Sequence, residues 1–143
     1  KLQSLLVEAK TAGIDRTKIQ SEITQIQSDM KNTANAATFN SVNWLSATAT
    51  TPATVSLVSS FSRVGGTPTI NSITVTTANY SLYTATQGGF LDKVSGTASI
   101  DTINISALTD SAADQATLDF IISKVTTEIY TVSQSAADLG AIK

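Results

Sequence analysis

The sequence predicts an α+β fold: an elongated rod of three lengthwise-packed helical segments with a small antiparallel β insert. Three observations lead there. Apolar residues recur at helical spacing towards both ends of the 143-residue chain and at a period of two in its middle. Charge follows the same division: 16 of the 20 charged residues lie in 1–46 and 109–143, and only Arg63, Asp92, Lys93 and Asp101 lie between. Both prolines, Pro52 and Pro68, and two Gly-Gly pairs punctuate that middle stretch. The expected organisation is a helical rod core over 1–46 and 109–143, interrupted by a β-rich insert over 47–108.

The first helix rests on Leu2, Leu5, Leu6 and Ala9, with Gly13 as a left-handed stop. Asp15 or Thr17 can cap the second, and Thr17 with Gln20 fits a capping box. Its apolar stripe runs through Ile19, Ile23, Ile26, Met30, Ala34 and Ala37, opposite a polar face of Lys18, Ser21, Glu22, Gln25, Ser28 and Asp29. The third helix carries a heptad pattern: Leu118, Ile122, Val125, Ile129, Val132, Ala136 and Leu139, alternating steps of four and three. Such a repeat is expected where a long helix lies nearly parallel to its partners. Ser111 with Asp114 can start it and Gly140 can end it.

Between the helices the spacing predicts four or five short strands. Val55, Leu57 and Phe61 alternate with small polar residues, Gly65-Gly66 makes a turn, and Ile70, Ile73 and Val75 follow. Tyr80 and Leu82 suggest a further strand, Gly88-Gly89 a second turn, and Ile100, Ile103 and Ile105 a last strand. Trp44 reads as a buried anchor where helix gives way to sheet.

Composition narrows the function. With neither cysteine nor histidine, the chain has no disulfide framework, no thiolate or imidazole metal ligand, and no usual general base. A hydrophobic content of 41% and a mean hydropathy of +0.10 place it outside the disordered class. Nine Lys and Arg within a net charge of −2 leave no footprint for nucleic acid. No apolar run reaches membrane-spanning length. Asp92, Asp101, Asp110, Asp114 and Asp119 form no paired-carboxylate pattern, and the glycine pairs lack the lysine of a phosphate loop. The run Asp110–Asp114 lacks the spacing and glycine of a calcium loop. Asn79-Tyr80-Ser81 and Asn104-Ile105-Ser106 are formal sequons that chance explains. No catalytic residue, cofactor or metal is expected. A helical face rich in Gln, Ser, Thr and Asn suits contact between close-packed subunits, since such groups hydrogen-bond with little desolvation of charge. Lys1 and Lys143 read as cuts through a longer protein.

Two separated motifs carry a family resemblance. Ser21-Glu22-Ile23-Thr24-Gln25 followed by Asn35-Ala36-Ala37-Thr38-Phe39-Asn40 resembles the N-terminal rod of bacterial flagellins, and Ala137-Asp138-Leu139-Gly140-Ala141-Ile142 resembles their C-terminal rod motif. Phe39-Asn40-Ser41-Val42-Asn43-Trp44-Leu45 is most similar to the alphaproteobacterial form. Ser41 replaces the family's usual glycine, and Ser133-Gln134-Ser135 stands where an arginine is usual. The resemblance implies a structural subunit of the extracellular flagellar filament, exported by a type III route and packed against other flagellin subunits, with an export chaperone and a cap protein as further partners. The chain by itself is then expected to be monomeric, since the polymerising terminal helices are absent. The rival readings are a hook–filament junction protein and a flagellin-like surface receptor for polysaccharide. Core packing is expected from Ile19, Ile23, Ile26, Met30, Leu118, Ile122, Val125, Ile129, Val132 and Leu139. Matching motif to motif also puts Lys1, Leu5 and Glu22 where recognised flagellins contact a Toll-like receptor, with Lys1 replacing an arginine. Lysine lacks the planar guanidinium fork, so weak or absent receptor activation is expected.

Overall fold

A computed structural model describes residues 1–38, 43–47, 54–96 and 98–141. Three helices are present: α1 (Leu2–Glu8), α2 (Arg16–Ala36) and α3 (Ala112–Ala141). Among the described residues four strands lie between α2 and α3: β1 (Ser46–Ala47), β2 (Thr54–Val64), β3 (Thr67–Thr76) and β4 (Tyr83–Thr84). The Phe39–Val42 part of the sequence motif and its last residue, Ile142, lie outside the described residues.

Capping chemistry sets the helix limits. Past the end of α1, Gly13 takes φ +75°, and Asp15 then caps α2 by accepting from the backbone N–H groups of Thr17 and Lys18. At the other end of α2, Asn43 turns back to donate to the carbonyls of Ala34 (2.7 Å) and Asn35 (2.9 Å), adding to the bond that Ala34 already accepts from the Ala37 N–H. Ser111 precedes α3 and its hydroxyl accepts from the Asp114 N–H at 3.2 Å. Gly140 does not stop α3, which continues through it to Ala141. Thirty residues give α3 a length of about 45 Å.

One core joins the three helices. Leu2, Leu5, Leu6 and Ala9 of the α1 segment, Ile19 and Ile23 of α2, and Leu118, Ile121 and Val125 of α3 enclose Ile100, Ile103 and Ile105. Ile26, Met30 and Ile122 pack partly buried against it. The stripe of α3 thus differs from the expected heptad in two ways. Ile121, not Ile122, is the buried residue of its pair, and Ile129 is 51% exposed. α1 packs antiparallel on α3, with Gln3 meeting Thr126 and Lys10 meeting Asp119, so the contact covers α3 on the 119–126 side of Ile129.

The four strands agree with the expected number, but they form two separate pairs and two of them are long. β2 and β3 form one long antiparallel hairpin closed by Gly65 (φ +60°) and Gly66 (φ +86°), the left-handed pair that a tight two-residue turn requires. β1 and β4 form a separate two-residue parallel pair. A bulge between Val58 and Ser60 changes the phase of β2, so Phe61 and Ile70 lie on the opposite face from Leu57 and Ile73. No second layer covers the hairpin, and Val58, Phe61 and Ile70 are exposed. The stretch around Ile100–Ile105 is no strand: residues Ile100–Thr102 form a 3₁₀ turn and the rest is extended coil.

Candidate functional site

Beyond the start of α1, the facing sides of α2 and α3 leave an apolar groove of about 600 Å³. Ile26, Met30 and Ala34 line it from α2, Val125, Ile129 and Val132 from α3, and Leu45, Leu82 and Leu91 from the insert. Lys1, Leu2 and Gln3 close its near end. Its apolar residues continue the same stripes that form the core, and among the described residues no element fills it. Of the residues expected to pack the rod, Ile19, Ile23, Leu118 and Val125 are buried, Ile26, Met30 and Ile122 are half-buried, and Val132 and Leu139 are half-buried outside that cluster.

Polar fasteners hold the walls. Arg16 is 7% exposed; its Nε donates to the Ala9 carbonyl at 2.9 Å and its Nη2 to Asp110 Oδ1 at 2.6 Å. Asp110 Oδ2 accepts from the Gly13 N–H at 3.0 Å. Lys10 pairs with Asp119, and Gln3 donates to the Thr126 hydroxyl at 2.8 Å, tying α1 to α3. The hydrogen bond from Arg16 is the main cause holding the Asp110 carboxyl below the ordinary aspartate range, and those from Thr109 do the same for Asp114. Carboxyls depressed in the folded state stabilise it above their ordinary value, about pH 4, and that stabilisation is lost as acid titrates them at their lower folded values. Urea midpoints followed from about pH 6 to about pH 2 should therefore fall below about pH 4, and Asp110→Asn should flatten part of that fall.

The insert is anchored by buried polar groups. Trp44 is buried as expected, and the buried Ser81 hydroxyl donates to its carbonyl at 3.1 Å. Asp92, 6% exposed, clamps the loop after β4 by accepting from the Thr84 and Gly89 N–H groups, both at 2.7 Å. Tyr83 is buried beside it; burial first, then the charges of Asp101 and Asp92, pushes its phenol up to about 12. Gly89 serves this loop by close approach, since a Cβ there would sit 2.4 Å from the Leu82 carbonyl oxygen. Gly89→Ala should cost about 1–3 kcal/mol in urea melts, whereas Gly88→Ala, with its nearest neighbour at 3.5 Å, should be close to neutral.

The positions matched to a receptor surface differ in exposure. Lys1 and Glu22 are exposed, but Leu5 is 8% exposed and belongs to the helical core. Among the described residues no group of three His, Cys, Asp or Glu could hold a metal, and no helix is long and apolar enough to cross a membrane.

Similarity to known proteins follows the same segments. The chain is 35% identical to Flagellin D of Rhizobium meliloti (strain 1021) over 140 residues, 96% of this chain and 31% of that protein. The chain is flagellin-like. It is also 39% identical to Flagellin A of Rhizobium meliloti and 38% identical to Flagellin B of strain 1021, each over 101 residues, 65% of this chain and 25% of those. This flagellin-like chain therefore spans about a third or less of the length of these curated relatives. No family model matches it, and no solved structure does. Arg16, Gln20, Gln27 and Asp92 hold the flagellin-like core and its insert together, and sequence reasoning missed that role for all four. Gln20 stood out only as a capping-box partner of Thr17, and Asp92 only as one of four charges in an otherwise uncharged insert.

Proposed function

We propose that this chain is the rod core and short insert of a flagellin: a structural subunit of the extracellular bacterial flagellar filament, used for motility and not an enzyme. The likeness to flagellins over nearly the whole chain supports the class. The observation that carries the finer reading is the open apolar groove, where the stripe of α3 runs on past α1 with Ile129 half exposed. A stripe of that kind is worth burying, at about 25 cal/mol per Å² of apolar surface removed from water. In a longer parent, helical arms beyond this chain cover it, so the three helices lie lengthwise in a continuous rod. The Gln, Ser and Thr faces then meet neighbouring subunits, and export and capping partners act on the whole parent protein.

The test is assembly. In the full-length parent, Ile129→Asp with Val132→Asp should abolish filaments seen by electron microscopy, while Ser59→Asp in the exposed hairpin leaves them. Normal filaments from the groove variant would overturn the reading.

A further inference from the structure

The β2–β3 hairpin has two outer edges, and among the described residues no strand pairs with either. A two-stranded hairpin is marginal by itself, and further strands stabilise it. The two edges are not equally open. β2 is broken by the bulge at Ser59, carries Arg63, and has its foot half-buried at Val55 and Leu57. Bulges and charges are the devices that keep an edge from pairing. β3 has neither: it holds no charged residue and no bulge, and every residue from Thr67 to Thr74 is exposed. In an antiparallel ladder successive residues turn both backbone groups to opposite sides of the strand. The Asn71 carbonyl accepts from the Ser59 hydroxyl at 3.2 Å, on the β2 side, so Ile70, Ser72 and Thr74 turn theirs outward. Pro68 falls on the same outward side, where its missing N–H costs the hairpin no bond.

We propose that the β3 edge is an interaction surface for a second copy of this chain, paired antiparallel about Ser72 so that two hairpins form one four-stranded sheet. In that register Ser72 faces its own equivalent, and Ile70 faces the second copy's Thr74 in both directions. The three outward-facing pairs exchange about six backbone hydrogen bonds, within the range of about ten, give or take five, for a typical interface. Self-pairing also opposes no like charges. β3 brings none, and each Arg63 lies near the tip of its own hairpin, so the two stand at opposite ends of the joint sheet. An edge about 33 Å long and about 10 Å deep offers less than half of the about 800 Å² per partner of a stable complex. The pairing is therefore weak: the dilute chain is monomeric, and dimers form as it is concentrated. A two-fold contact uses up the edge, so association stops at the dimer. This surface is independent of the filament reading, since the groove variants that test that reading leave β3 unchanged.

Sedimentation equilibrium of the chain over a concentration series tests this. Expected is a reversible monomer–dimer equilibrium with no larger species. Ser72→Pro removes an outward donor from each copy and no bond inside the hairpin, and should weaken dimerisation about tenfold or more. Ser56→Pro, on the outer edge of β2, should leave it unchanged. Ser72→Lys and Ser72→Glu each set like charges directly opposite one another across the dimer and should each weaken it. An equimolar mixture of the two should associate at least as well as the unaltered chain, because opposite charges then meet. These charge variants keep every backbone group, so they decide the matter where proline disturbs the hairpin. A chain that stays monomeric up to about 1 mM, open-ended oligomers, or a mixture that shows no rescue would overturn the proposal.

Discussion

Leu118→Asp is expected to unfold the chain, while Ile129→Asp, about three turns further along the same helix, is expected to leave it folded. Leu118 is fully buried among Leu, Ile and Val side chains from all three helices. A carboxylate there has no cation to meet and loses its water, a penalty of about 4 kcal/mol or more. That is a large part of the roughly 5–15 kcal/mol that holds a typical domain together. Ile129 is 51% exposed at the edge of the groove, so an aspartate there keeps much of its hydration. Its cost should stay within about 1 kcal/mol. Thermal melts followed by circular dichroism separate the two: no cooperative transition for Leu118→Asp and a shift of a few degrees for Ile129→Asp. Equal loss in both variants would mean that the groove is closed by something within the chain.

The same pair of residues shows what the sequence could and could not convey. Leu118, Val125 and Ile129 fall on one heptad stripe, and periodicity treats them alike. What distinguishes them is which stretch of α3 packs against α1, a tertiary fact with no local signal in α3. Ile100, Ile103 and Ile105 mislead for a different reason. Their spacing imitates a strand, but their backbone groups are met by side chains of α2 in place of a neighbouring strand. Gln27 donates to the carbonyls of Ile100 (3.0 Å) and Ile103 (3.2 Å), and the Gln20 amide both donates to Ile103 (3.2 Å) and accepts from the Ile105 N–H (2.8 Å). A glutamine amide has a donor and an acceptor side, as a peptide group does, so two of them replace a short ladder. In the sequence Gln20 reads only as a capping-box partner of Thr17, and Gln27 carries no signal of this role. By contrast, the caps at Asp15 and Ser111 and the Gly65-Gly66 turn were legible because each is decided within a few neighbouring residues. The pairing and lengths of the insert's strands were not, because pairing depends on partners far along the chain. Ser59, at the bulge, is indistinguishable by sequence from the serines beside it.

Arg16→Ala is expected to destabilise the chain by about 2–4 kcal/mol, the largest effect of any charged residue. Arg16 stands at the first turn of α2, but its guanidinium works between three segments. It meets the carbonyl of Ala9 after α1, the Leu108 carbonyl at 3.5 Å, and the Asp110 carboxylate just before α3. Removing it leaves the buried Ala9 carbonyl with one donor fewer and opens a void under the junction of all three helices. Charge is not the whole of this contact. Lysine in its place keeps the positive charge but cannot direct separate N–H groups to a carbonyl and a carboxylate at once. Arg16→Lys should therefore recover less than half of the lost stability. Asp110→Asn alone should cost less than Arg16→Ala, because Asp110 is exposed and water can replace its partner. Urea denaturation of the three variants decides the matter. A full rescue by lysine would reduce Arg16 to a simple counter-charge for Asp110, and the carbonyl bonds would then contribute little to holding the helices in register.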